Sequence, residues 1–239
     1  MIGQLRVAPE ANEITAALQL LKTLRLNGVI ITGDAIFTQK EICRVIIEGG
    51  GDYFFTVKDN QPTLKADIAL AFAPESPAAE WSPPPDLKQV QTIEKGHGRI
   101  ETRRLETTAS VTEHLAPSWA GLGQVCRLTR ERIIGDKEST ETVYAITSLT
   151  AEKAGPERLL ELSRAHWGIE NKLHYVRDVT CREDQARANA GHAPQALAAL
   201  RNTVLTIVRR LGFKPVEGFE YFAEHRQAAI DAVHRRRTE

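Results

Sequence analysis

In residues 164–177, RAHWGIENKLHYVR, the side chains of His166, Glu170, His174 and Arg177 follow one another at spacings of four, four and three. On a helix these spacings share one face, a carboxylate between two imidazoles with a guanidinium beyond. Leu159, Leu162, Ile169 and Leu173 make an apolar stripe at neighbouring angles, so the helix can pack on a core and still aim Glu170 at a cleft. Its start is expected at Gly155-Pro156, because proline is pre-organised for a first helical turn. Two readings fit this face: a reactive or ion-binding site, or a buried ion-pair network.

A second candidate carboxylate is Asp34. It ends the β-branched run Val29-Ile30-Ile31-Thr32-Gly33, which reads as a fully buried strand of the parallel type. Asp34 then lies at the C-terminal edge of a central strand, where α/β folds place their ligands. Asp34 or Thr38 could instead cap the helix expected near Thr38, and the two roles are compatible.

The elements that must position these groups alternate. Residues 1–7 read as a short strand. Residues 11–26 have helical periodicity through Ile14, Leu18, Leu21 and Leu24, and Asn27-Gly28 ends that helix. Residues 39–48 form an amphipathic helix (Ile42, Val45, Ile46) closed by Gly49-Gly50-Gly51. Residues 52–57 are a second buried strand, delivering Lys58, Asp59, Asn60 and Gln61 to the same rim as Asp34. Lys58 there can touch a phosphate or simply face solvent. A further helix is expected over residues 62–73.

Residues 73–86 turn to Pro, Ala and Ser, a linker composition. Beyond them the period becomes two, with strands expected at 89–93, 98–105, 124–133 and 141–148 and a hairpin tip at Gly135-Asp136-Lys137. This block reads as a β-rich insertion into the α/β layer. Within it Arg99 and Arg103 share a strand face with Glu101 between them. Contact with a phosphate backbone and a solvated face fit that pattern equally. Trp119 lies in a loop, where core packing is favoured over base stacking. Residues 178–187 form a dense polar turn, residues 194–211 a long apolar helix, and the chain closes on a tail ending His234-Arg235-Arg236-Arg237.

The 239 residues suffice for one large domain or a core with an insertion. Thirty-one basic residues balance thirty-one acidic ones, so any nucleic-acid surface must be a local patch. Cys43, Cys126 and Cys181 are far apart without a CxxC pair and read as free thiols in a reducing compartment. No run approaches the ~18 apolar residues of a membrane span, and no basic-then-apolar leader opens the sequence, so a cytoplasmic location is expected.

The segments NEITAALQLLKTLRLNGVIITGDAIFTQKEI, GGDYFFTVKDNQPTL, HGRIETR and RAHWGIENKLHYVRDVTCREDQAR together resemble the DDE-type insertion-sequence transposases of bacteria. More narrowly they are similar to the branch of the IS-four superfamily whose catalytic helix reads H-W-x-I-E-N-x-L-H. The match runs in order from about Gly3 to Leu211. It implies an α/β fold, an RNase H-like core with a β-rich insertion before its last catalytic helix. On this chain that division gives core residues 1–85, insertion 86–150, catalytic and closing helices 151–212 and a tail 213–239.

The resemblance also implies a chemistry. In the family three carboxylates hold two divalent ions, Mg²⁺ or Mn²⁺, for cleavage and strand transfer at the inverted repeats of transposon ends in double-stranded DNA. Asp34 matches the second Asp and Glu170 the final Glu. The superfamily's Tyr, Arg, Glu, Lys signature is kept only at the Glu: Ser163, His166 and Arg177 take the other places. The candidate DNA contacts are Lys58, Asn60, Arg99, Arg103, Arg164, His166, Lys172 and Arg177. The family acts as dimers on paired ends.

The family's first Asp lies on the first core strand, upstream of the segment that here begins at Gly3. Between Met1 and Gly33 this chain has no Asp, only Glu10 and Glu13. It is therefore expected to be the C-terminal part of a transposase, truncated at its N-terminus and nearly inactive in strand transfer by itself. A missing strand would also leave its neighbour's edge open for partnering. The alternative is a non-catalytic DNA-binding or inhibitory form that pairs with a full-length transposase. A third reading, zinc held by His166, Glu170 and His174, is disfavoured because three ligands on one helix rarely converge on an ion.

Overall fold

The β-branched run that leads to Asp34 folds as strand β1 (Ile30–Gly33), parallel to β2 (Asp52–Val57), with helix α2 (Lys40–Glu48) crossing between them. The computed structural model describes residues 12–72, 84, 86–96, 98–169, 175–188 and 190–234, and these fall into two compact units that divide between His166 and Trp167. Residues 1–7, most of the Pro-rich linker, Glu170, Lys172, His174 and the terminal arginines lie outside the described residues.

In the first unit, helix α1 (Glu13–Thr23) is capped by Asn12, whose side chain accepts from Thr15 N. After β2 comes helix α3 (Pro62–Ala71), then strands β3 (Lys88–Gly96) and β4 (Arg99–Thr108). A single helical turn, α4 (Thr112–Leu115), leads to β5 (Gln124–Ile134) and β6 (Lys137–Thr147). Gly135, at φ 58°, opens the two-residue turn between those last two strands, a backbone that side chains resist. The helix expected to carry the chemistry is α5 (Pro156–Ile169).

The strands form one sheet in the order β1-β2-β6-β5-β4-β3. β6 is antiparallel to β2, with Phe55 opposite Ile146, so the block expected as an insertion is hydrogen-bonded into the same sheet as Asp34. The change of period read at residue 86 marks a change from parallel to antiparallel pairing. It does not mark a separate sheet.

β1 also departs from expectation. Its only strand partner among the described residues is β2, which makes it an edge, and only Gly33 in it is buried. The apolar run is still needed, because both faces of β1 are covered. Ile31 packs with Leu21, Ile42, Ile46, Tyr53 and Phe55 under α1–α3. Ile30 packs with Phe54, Leu105, Cys126 and Ala145 under α5. Alternation along β2 does the same, sending Tyr53 and Phe55 one way and Phe54 the other. Burying side chains of this size stabilises by ~1.5–3 kcal/mol each, which fixes the strand register. Trp119, 3 % exposed, belongs to the first of these clusters, as its sequence context favoured.

α5 reaches both edge strands. His166 touches β1 and Arg164 touches β3.

The start of α5 is pinned by a buried glutamine. Gln124 on β5, 1 % exposed, donates from Nε2 to the carbonyls of Leu149 (2.7 Å) and Ala154 (3.1 Å), and its Oε1 accepts from Thr107 Oγ1 (2.8 Å). Three polar groups of the loop and sheet are satisfied at once, so the helix leaves the sheet in one direction.

The second unit holds a π-helical turn at Val176–Thr180 and helix α6 (Ala193–Arg210). Arg177 sits in that wider turn. The expected tail contains two further helices, α7 (Pro215–Glu224) and α8 (Arg226–His234). Gly212, at φ 86°, follows α6 and Pro215 opens α7, a pair of punctuation signals that the sequence already carried. None of the described helices is long and apolar enough to cross a membrane.

Candidate functional site

Asp34 stands where β1 stops. It has extended backbone (φ −67°, ψ 167°) and leads into a 3₁₀ turn, Ala35–Phe37, without capping it through its side chain. Thr38 is no cap either: Gln39 precedes α2, and the Thr38 hydroxyl donates to the carbonyl of Thr56 on β2 at 2.5 Å. Asn60 Nδ2 donates to the carbonyl of Ala35 (2.6 Å) and Gln61 Nε2 to that of Thr38 (2.9 Å). Three hydrogen bonds thus fasten the loop after Asp34 to the end of β2. Gly33 adds to the constraint, since a Cβ there would lie 3.1 Å from the Phe55 ring and 3.2 Å from Phe37 Cβ. The loop is held while the Asp34 side chain itself stays 70 % exposed.

One group grips that carboxylate. Thr32 and Asp34, two residues apart on β1, point to the sheet face covered by α5. His166 on α5 lies over both, with Nε2 3.1 Å from Asp34 Oδ1 and Nδ1 3.3 Å from Thr32 Oγ1. A carboxylate accepts only, so Nε2 carries the proton, and in the neutral ring Nδ1 accepts from the Thr32 hydroxyl. His166, expected as a phosphate contact, is thus a clasp on Asp34. Thr32 was not singled out from sequence, although its place two residues before Asp34 on a strand was the available signal.

The remaining candidates divide. Lys58 is exposed just past β2, on the rim where the parallel β1 and β2 both end. Asn60 is occupied with the loop as above. Arg164 pairs with Glu94 of β3 at 2.6 Å. The guanidiniums of Arg164 and then Arg103 hold the Glu94 carboxyl below its ordinary range. Arg103 also meets Glu101 at 2.9 Å, and Arg99 meets Glu101 at 3.6 Å. In the second unit Arg177 makes a two-point pair with Glu183, at 2.5 and 2.6 Å. Glu170 and Lys172 lie outside the described residues.

An exposed aspartate beside a threonine hydroxyl is a donor set of hard oxygens, suited to Mg²⁺ or Mn²⁺ more than to a soft ion. Among the described residues no group of three or more His, Cys, Asp or Glu side chains is placed to hold a metal. Asp34 is the candidate carboxylate that the described residues show, and Glu170 follows four residues after His166 in the sequence.

The "H repeat-associated putative transposase YhhI" of Escherichia coli K12 is 37 % identical over 217 residues, 87 % of this chain and 54 % of that protein. The "Putative protein YbfL" of the same organism matches to the same extent, and the "Putative transposase YncI" of Escherichia coli O157:H7 is 32 % identical over 214 residues, 87 % of this chain and 53 % of its own. The chain spans about half the length of these curated relatives. No solved structure matches it. Residues 1–207 match the family model described as transposase DDE domain, and the chain belongs to that family of DDE-type transposases.

Proposed function

We propose that the chain acts on the phosphodiester backbone of double-stranded DNA at the inverted repeats of insertion-sequence ends, supplying the second Asp and the final Glu of a transposase site. The observation that supports this reading most is Asp34: an exposed carboxylate at the open end of β1, clasped by a histidine on the helix from which Glu170 follows. Asp34 and Glu170 would hold two divalent ions, Mg²⁺ or Mn²⁺. When bound, such a pair stabilises the attacking and leaving oxygens of an in-line displacement.

The chain's own side chains prepare that site. His166 fixes the direction of the Asp34 carboxylate, and Thr32 fixes His166. Asn60, Gln61 and Thr38 keep the following loop from relaxing away from the rim. Lys58 offers a cation on that rim for a phosphate oxygen, and Lys172 and Arg177 are further contacts by family correspondence.

Asp34 and Glu170 would supply two of the family's three carboxylates. The chain spans about half the length of its curated relatives, which leaves a second reading, in which it binds DNA, pairs with itself or a full-length transposase, and inhibits it.

The test begins with the DNA upstream of Met1, translated in all three frames. Joining any strand-like segment that carries an Asp should restore Mn²⁺-dependent nicking of an end duplex, with Asp34→Ala and Glu170→Ala each abolishing it. Nicking that survives both substitutions would sink the catalytic reading. Loss of a full-length relative's nicking when the unextended chain is added would favour the inhibitory one.

A further inference from the structure

The sheet face that presents Asp34 also presents a cluster of arginines built from two neighbouring strands. Leu105 on β4 and Leu128 on β5 are register partners and pack in the same cluster under α5 as Ile30. Outward from them in steps of two, Arg103 stands opposite Arg130, Glu101 opposite Arg132, and Arg99 follows. Alternation sends all five side chains to the face that carries Thr32 and Asp34.

Glu101 is at the centre and only 3 % exposed. Its oxygens lie 2.9 Å from Arg103, 3.3 Å from Arg132, 3.6 Å from Arg99 and 3.9 Å from Arg130. At the margin Glu94 takes Arg103 and Arg164, and Glu141 takes Arg130. Among the described residues, five arginines thus meet in a cluster with three glutamates, in a chain whose formal charge is zero. Arg103 and Arg130 are largely covered, whereas Arg99 and Arg132 are 46 % and 34 % exposed.

A structural ion pair needs one guanidinium for one carboxylate. Four around a single buried carboxylate hold long side chains in place, and the part-exposed Arg99 and Arg132 still present guanidinium to solvent. Such pre-ordering lowers the side-chain entropy lost when a polyanion arrives, and the guanidinium fork suits phosphate oxygens.

We propose that Arg99 and Arg132 seat the phosphate backbone of duplex DNA on this face, with Glu101 as the internal counter-ion that holds them ready. The proposal rests on the DNA reading above and gives it a surface: Arg103, the other arginine singled out from sequence, serves Glu101 and Glu94, and its place is taken by Arg132. A duplex fits better than a single strand, because this face offers guanidiniums and, among the described residues, no exposed aromatic ring of Phe, Tyr or Trp to stack on. Phe54 is buried there, and Trp119 and Tyr144 pack in the opposite cluster.

The test is anisotropy of a labelled 30-base-pair duplex of arbitrary sequence, titrated with the full chain in EDTA at a series of NaCl concentrations. Arg99→Gln and Arg132→Gln should each reduce the slope of log affinity against log salt by about 0.9, and the double variant by about twice that. Arg44→Gln, which removes an exposed arginine paired with Glu41 on α2, should leave the slope unchanged. A double variant with wild-type slope and affinity, or tighter binding of a single strand of equal length, would overturn the surface while leaving the catalytic reading intact. No duplex binding by the wild-type chain at 50 mM NaCl, a chosen low-salt condition, would overturn both. Circular dichroism on each variant ensures that a lost slope is not lost fold.

Discussion

His166 and Asp34, 132 residues apart in sequence, meet at 3.1 Å because α5 lies across the face of β1 to which Thr32 and Asp34 both point. The contact makes the aspartate's direction a property of the helix that also leads to Glu170.

Removing the clasp should therefore disarm Asp34 without unfolding the chain, since α5 is anchored by Leu159, Leu160 and Leu162. His166→Ala is expected to weaken Mn²⁺ binding at Asp34, or nicking by an upstream-extended product, by 10–100-fold, the usual effect of losing an outer-shell partner. Thr32→Val keeps the shape and removes the hydroxyl, so a smaller loss is expected, with His166→Asn recovering part of what alanine loses. Mn²⁺ titration followed by water proton relaxation measures both, and unchanged affinity in His166→Ala would show that the contact is incidental.

Gln124→Leu should destabilise the first unit. It strips hydrogen bonds from the carbonyls of Leu149 and Ala154 and from the Thr107 hydroxyl, all in a buried setting. Leaving such groups without partners costs ~1–3 kcal/mol. A urea melt with a lowered midpoint and unaltered slope is the expected result.

Glu101→Ala leaves four guanidiniums around an empty place. Loss of a fully buried partner costs about 3–5 kcal/mol, and the partial exposure of these arginines screens that to the lower end or below. The same urea melt measures it, and added sulfate should recover part of the loss by supplying an anion to the cluster. A variant as stable as wild type would mean that the cluster is not held by its carboxylate.

The cysteines give a readout of packing. Burial pushes the thiols of Cys43 and Cys126 up to about 12, and burial also raises that of the half-buried Cys181. A raised thiol pKa means little thiolate at pH 8, and Cys43 and Cys126 are in addition inaccessible. Native protein with a disulfide reagent at pH 8 should therefore release about one equivalent, from Cys181, slowly, and three equivalents once unfolded. Fast reaction of all three in the native state would contradict the packing of β5 and α2.

Much of this molecule is legible in its sequence because local rules decide it. The 3.6 period through Ile14, Leu18 and Leu21 and through Ile42, Val45 and Ile46 fixes α1 and α2. The β-branched run into Gly33-Asp34 fixes β1 and puts a carboxylate at its end, and alternation puts Arg99, Glu101 and Arg103 on one face. Several joined motifs carry the family. The two helices after Gly212, expected above only as a tail, were legible too, from Gly212 and Pro215 and from apolar residues such as Val216, Phe219 and Phe222.

What the tertiary structure alone decided is pairing. Which strand lies beside which depends on burial summed over the whole sheet, and no local pattern in residues 86–147 says that β6 rather than β3 joins β2. From that choice follow the single strand partner of β1 among the described residues, the register that sets Arg130 and Arg132 beside Glu101, and the placing of α5 against both β1 and β3. Sequence supplied the chemical groups and the faces on which they lie. Their meeting, His166 on Asp34 and four arginines on Glu101, comes from long-range strand order, a property of the packed whole.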